Sequence, residues 1–363
     1  MATFREYKCP CCGGSIGFDS SAQRLKCPYC DTEFDLEILE GYEAELQPSQ
    51  ADAMQWQTEG QSWPEDQQAG LRAYLCRSCG GEIVSDETTA ATTCPFCGNP
   101  VVLMEQVSGA LKPDLVIPFQ VDKKAAMQAL HRYLSDKPLV PIIFKDAHHI
   151  SEIKGIYVPF WLFQTDAQAQ FKYRATRIRH WSDSRYDYTE TEHYLLHRGG
   201  RIGFAGVPVD GSVKMADDLM ESIEPFDLSQ AVPFEPGYLA GFFADKYDIS
   251  MEQSTERANQ RVRQSIQDAF SQTTGDYSSV MEENSSIQLQ GGKAQYALYP
   301  VWLLNTTWKG NTYTFAMNGQ TGRFVGDLPT DPGAVRKWSL GLAGGIGLAA
   351  YGIVLALYAF GIL

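Results

Sequence analysis

Cysteines recur in this chain at a fixed offset, and that recurrence constrains the fold more than any other feature. Cys9, Cys12, Cys27 and Cys30 reappear 67 positions later as Cys76, Cys79, Cys94 and Cys97, and Gly13, Gly14 and Ile16 reappear as Gly80, Gly81 and Ile83. The stretch is an internal repeat. In each copy a C-x2-C is followed, after fourteen residues, by a second C-x2-C. Two such knuckles supply four thiolates to one tetrahedral ion, with short strands between them. The glycine after Cys12, Cys79 and Cys97 is expected at positive φ, turning backbone N–H groups toward the sulfurs. The spacing predicts two structural zinc ribbons, at 1–40 and 73–105, each holding one Zn2+ through the cysteines named. Iron held by four thiolates fits the same spacing. Disulfides would require export, and the opening residues show no basic stretch leading into an apolar one. Cys11 falls opposite Ser78 and is left over, either a bystander in the knuckle loop or a substitute ligand.

The last 24 residues, Leu340 to Leu363, carry no charge. At about 1.5 Å per residue they reach roughly 36 Å, enough to cross a hydrocarbon layer of about 30 Å. The expectation is a single-pass membrane helix at 339–363 that leaves the chain tail-anchored. Arg336, Lys337 and Trp338 precede it, a basic and aromatic flank of the cytoplasmic kind, so the bulk of the chain is expected in the cytoplasm. A reducing compartment also suits unpaired thiolates. Gly341, Gly345, Ala349, Gly352, Ala356 and Ala359 form a stripe of small residues through which a second helix could approach, a route to oligomers.

The formal net charge is −14, and residues 1–105 hold six Lys/Arg against seventeen Asp/Glu. Four thiolates on one divalent ion add a further negative charge at each ribbon. Nucleic-acid binding rests on clustered cations, so this balance disfavours it and favours protein-binding or structural ribbons. Between them, 41–72 reads as an acidic, flexible linker rich in Gln and Glu.

Beyond the ribbons, 107–330 reads as one α+β domain rich in antiparallel strands. A strand over 115–119 leads into a helix capped by Asp122, with Ala126, Leu130 and Tyr133 on one face. Strands are expected from about 156 to 204. Ser250 and Gln253 make a capping box for a helix over 251–270, where Ala258, Val262, Ile266 and Phe270 recur at helical spacing. The segment from Tyr296 onward reads as strand, turn, strand, turn, strand, with turns at 308–311 and 318–322. The stretches VPFWLF (158–163) and YPVWLL (299–304) resemble each other and mark related sheet strands.

Catalytic motifs are missing. The chain has no P-loop, no G-x-S-x-G and no H-E-x-x-H. His148 and His149 fall in a loop, while His193 and His197 lie in an extended stretch, too far apart to share a metal easily. The expectation is a protein that is not an enzyme.

Tandem ribbons with CPYC and CPFCG, the block VIPFQVDKKAAMQAL, GIYVPFWLF, the hairpin YTFAMNGQTGRFVGDLP and the closing apolar segment together resemble a family of bacterial membrane proteins. Its members carry transcription-factor-IIB-type zinc ribbons and a C-terminal transmembrane helix. The resemblance implies association with phage-shock-protein-A-like and stomatin/prohibitin/flotillin-type proteins at the lipid bilayer under envelope stress. It implies an adaptor that recruits or anchors such partners at the cell membrane, and it carries over the eight cysteine ligands but no catalytic residue. The alternative from another class is a membrane-tethered nucleic-acid-binding regulator.

Overall fold

A computed structural model describes residues 7–21, 23–46, 51–58, 60, 62–64, 71–86, 89, 91, 93–104, 111–146, 150, 152–326 and 328–359. In chain order the strands and helices are β1 (Gly17–Asp19), β2 (Arg24–Lys26), β3 (Glu33–Phe34), α1 (Leu36–Leu46), β4 (Gln57–Thr58), β5 (Leu71–Leu75), β6 (Glu82–Asp86), β7 (Val102–Met104) and β8 (Leu115–Val116). There follow α2 (Lys123–Ser135), β9 (Lys154–Ser182), β10 (Asp187–Asp210), α3 (Asp217–Ser222), β11 (Val232–Pro233), β12 (Phe243–Asp245) and α4 (Met251–Ser271). The series closes with β13 (Ser279–Trp308), β14 (Asn311–Asn318), β15 (Phe324–Gly326) and α5 (Pro332–Ala359). The result is a mixed, sheet-rich α+β body with two four-cysteine clusters before it and an apolar helix after it.

The chain divides into two compact units, one of residues 1–57, 163–207 and 255–294, the other of 58–162, 208–254 and 295–363. In the second, strands run in the order β11-β8-β13-β9-β12-β6-β5-β7, with β14 on β13 and β15 on β14. The β8–β13 and β9–β12 pairings are parallel and the hairpins antiparallel. Both related stretches lie at the centre, VPFWLF in β9 and YPVWLL in β13, and residues 155–163 of β9 are buried without a break. A strand covered on both faces reads as a continuous apolar run. One face joins Ile156, Val158, Phe160 and Leu162 to Tyr299, Val301 and Leu303. On the other face of β13, Trp302 and Leu304 receive α2, whose Ala126, Leu130 and Leu134 are buried. Asp122 caps that helix by accepting the Ala125 N–H at 2.7 Å, as its sequence predicts. Tyr133 is only half-buried, and Leu134 completes the inward stripe in its place. The buried indoles find acceptors: Trp161 donates to the Ile249 carbonyl and Trp302 to that of Val121, both at 2.9 Å.

The first unit packs α4 on a sheet formed by the later part of β9, β10 and the earlier part of β13. Ala167, Ala169, Phe171, Tyr173 and Ala175 alternate inward from β9 to meet Val262, Ile266 and Phe270. Ser250 and Gln253 form the reciprocal capping box, N–H to Oε1 at 2.8 Å and N–H to Oγ at 3.4 Å. Residues 51–58 run beside β13: Asp52 accepts the Ile287 N–H at 2.8 Å and pairs with Arg263, and Trp56 donates to Asn259 at 2.7 Å.

The second unit buries one ionic cluster. Lys214 Nζ lies 2.9 Å from carboxylate oxygens of both Asp245 and Asp248, and Ser212 donates to Asp245. Burial pushes the Asp245 carboxyl up to about 6, while Lys214 and Ser212 pull it down. Burial acts against the Lys214 charge as well, and the two carboxylates more than offset it, so its pKa is raised.

Helix α5 is long and apolar enough over Pro332–Leu355 to cross a membrane, and none of that stretch is buried. Leu342, Leu348 and Ile353 are each more than 60% exposed, a continuous apolar surface that a water-facing helix seldom carries. The positions after 359, like His148 and His149, lie outside the described residues.

Candidate functional site

Each four-cysteine set converges. The sulfurs of Cys9, Cys12, Cys27 and Cys30 lie within 4.8 Å of one another, as do those of Cys76, Cys79, Cys94 and Cys97. Nearest pairs are Cys12–Cys27 at 3.4 Å and Cys9–Cys30 at 3.6 Å in the first, Cys76–Cys97 at 3.5 Å and Cys79–Cys94 at 3.6 Å in the second. A disulfide would hold two sulfurs at about 2 Å. Four thiolates at about 2.3 Å from one ion stand about 3.8 Å apart along each tetrahedral edge. The spacing found fits the ion, not the bond.

The backbone repeats atom for atom. Gly13 N–H donates to the Cys9 carbonyl and Gly80 N–H to that of Cys76, each at 2.8 Å, and Cys9 and Cys76 return bonds to Gly14 and Gly81 at 2.7 and 2.8 Å. Gly13, Gly80 and Gly98 take φ of 73°, 73° and 74°, as predicted. The remaining knuckle, at Cys27 and Cys30, closes on Asp31 at φ 57°, a residue type that tolerates this conformation. The second glycine of each pair makes room for a ring. A Cβ on Gly14 would sit 2.4 Å from Tyr29, and one on Gly81 would sit 3.3 Å from Phe96.

The thiols divide in their electrostatics: Cys30 and Cys76 are brought down, whereas Cys9, Cys12, Cys79 and Cys94 are pushed up. The Thr32 hydroxyl, 3.2 Å from Cys30 Sγ, is the main cause that brings the Cys30 thiol down to about 6. Burial acts against Cys76, yet N–H groups of Cys79 and Ser78 bring it down to about 7. Burial pushes Cys9 up to about 11, so an ion must displace its proton. Thr32 and Asn99 are equivalent under the 67-residue offset, and each bonds the fourth sulfur of its set, Asn99 Nδ2 to Cys97 at 3.4 Å. Sequence reading missed this pair, although the repeat alone marks it. Cys11 is half-buried beside the first set, and burial pushes its thiol up.

Among the described residues, the groups of three or more His, Cys, Asp or Glu able to share an ion are these two sets. His193 and His197 are exposed on β10, and His180 bonds Thr189 at 3.0 Å.

No family model matches the chain, and no solved structure matches it. Among curated proteins it is similar to the uncharacterized protein YdjG of Bacillus subtilis (strain 168), with 34% identity over 343 residues, 94% of this chain and 95% of that one. Similarity at that level over nearly the whole length of both chains leads to one conclusion: the chain belongs to the family of YdjG.

Proposed function

We propose that this protein is a membrane-anchored zinc-ribbon adaptor without catalytic activity, which holds partner proteins at the cytoplasmic face of the cell membrane. The observation that carries the reading is the pairing of two preorganised four-thiol sets with a helix whose membrane-length stretch is nowhere buried. Four thiols from two knuckles, with N–H groups turned toward them, are the donor set of a closed structural zinc site. Each set would hold one Zn2+, which ties the two knuckles of its ribbon together. Helix α5 would cross the bilayer once, with Arg336, Lys337 and Trp338 at the inner interface.

The partner class follows from the family resemblance: stomatin/prohibitin/flotillin-type or phage-shock-protein-A-like proteins engaged under envelope stress. The acidic balance of residues 1–105 supports protein over nucleic acid as the ribbon's target. The test is crosslinking in intact cells and purification through an N-terminal tag, beside a Cys12→Ser, Cys79→Ser double variant. A membrane-associated partner recovered with the native chain and lost with the variant is the expected result. Recovery of nucleic acid in a salt-dependent manner, with no protein partner, would overturn it.

A further inference from the structure

The two ribbons match in their sulfurs and differ in what surrounds them. Around the second set, the knuckle from Thr93 to Cys97 is held by side chains from distant strands. Asn305 on β13 donates from Nδ2 to the carbonyls of Pro95 and Phe96, both at 2.6 Å, and its Oδ1 accepts from Thr314 at 2.7 Å, which fixes the amide. Lys154, at the start of β9, sends Nζ to the Thr93 carbonyl at 3.2 Å and to its hydroxyl. Lys214 Nζ lies 5.7 Å from the centre of the Phe96 ring. Both ammonium groups stand beside a knuckle of a centre that carries about −2 once four thiolates hold a divalent ion. The strands of this ribbon continue into the sheet, Ile83 and Val84 of β6 pairing with Asp245 and Ala244 of β12.

Among the described residues the first set has less of this casing. Its strands β1, β2 and β3 form a sheet of their own. Tyr29, the counterpart of Phe96, is 74% exposed. Among the described residues no amide or ammonium does for Pro28 and Tyr29 what Asn305 does for Pro95 and Phe96. A tie from outside is on the other knuckle, where Arg174 donates to the Pro10 carbonyl at 3.2 Å and also pairs with Glu283.

We propose that Asn305 and Lys154 are positioning residues of the second metal centre, and that they make it the slow-releasing site of the two, so that the chain passes through a one-metal state in which the second ribbon stays folded. A chelator enters a four-thiolate site only when one sulfur swings away. A knuckle pinned through its carbonyls returns the sulfur before the chelator binds, whereas a free knuckle does not. Partners of this outer kind commonly change metal affinity about 10–100-fold. The inference rests on the zinc reading above, and the test separates the two.

The full chain is purified in mild detergent, its zinc is counted by emission spectroscopy, and release to excess chromogenic chelator is followed in time. Two zinc ions per chain meet the premise, and a count near zero overturns both readings. With two present, release is expected in two equal phases about 10–100-fold apart in rate. Asn305→Ala or Lys154→Met should speed only the slow phase. Chains stopped after the first phase and treated with iodoacetamide should be labelled at Cys9, Cys12, Cys27 and Cys30, with Cys76, Cys79, Cys94 and Cys97 protected, an assignment that requires no variant to fold. Release in a single phase, label on the second set first, or a slow phase unmoved by either substitution would overturn this inference and leave the zinc reading standing.

Discussion

At the scale of single residues, the knuckle glycines and the buried ionic cluster make opposite demands. Gly80 at φ 73° has no Cβ to crowd the backbone, and nothing lies within 4 Å of where one would be, so Gly80→Ala meets conformational strain alone. It should cost about 1–2 kcal/mol, read as weaker zinc retention in a chelator competition. That position was legible in the sequence because the repeat shows a glycine after the second cysteine. The Lys214–Asp245 pair was not legible, since 31 residues separate its members and neither sits in a motif. Its pH dependence has a definite sign. Native Asp245 keeps its proton up to about 6, above the ordinary 3.8, so this group makes stability fall as pH climbs through that interval. Lys214→Met would leave the Asp245 carboxylate beside Asp248 and the buried Tyr296 with no cation to match it. The loss should be about 3–5 kcal/mol with the carboxyl ionised, and should shrink as pH falls from 8 toward 6, because without Lys214 the carboxyl takes up its proton at a higher pH than in the native chain. Denaturant titrations of variant and native chain at pH 8 and pH 5 give the comparison.

Among the elements, α4 shows how periodicity becomes stability. Ile266 is fully buried against the inward alanines and aromatics of β9, so Ile266→Ala should cost about 2–5 kcal/mol. Ser250→Ala removes one half of the capping box and should cost about 1 kcal/mol. Thermal unfolding of the two variants should keep that order. The helix was readable from spacing because all its inward positions lie on one face of one element. Residues 51–58 were not, because what orders them is far away in the chain. Asp52 answers an N–H on β13, and Trp56 reaches Asn259 on α4 and stacks edge-on against Phe163 of β9, partners no local pattern can announce. The strand over 115–119 shortens to Leu115–Val116 for a related reason. Beyond it, Phe119 stacks on Phe242 at 4.1 Å, and the N–H groups of Gln120 and Val121 turn to the Gly319 carbonyl, a tertiary arrangement that a fully extended reading does not include.

For the whole molecule, the placement of α5 decides how the body is held. Ile346→Lys with Ile353→Lys would put two charges in the apolar stretch, each opposed by roughly 2.5–3.5 kcal/mol at the centre of a spanning helix. Cell fractionation should then find the chain displaced from the membrane pellet, while the ribbons keep their zinc. The order of strands adds a constraint in time. Each compact unit draws on three separate stretches, and both include part of β13. The first unit is complete at Ala294, but the second waits for β15, which ends at Gly326, and α5 begins at Pro332, about 6 residues later. At about 5–20 residues per second the ribosome covers that distance in roughly 0.3–1 s. On the proposed anchoring, the closing strand β15 therefore leaves the ribosome only about a second ahead of the segment that hands the chain to the insertion machinery, and a nascent body slow to pair its last strand would reach the bilayer with its sheet still open.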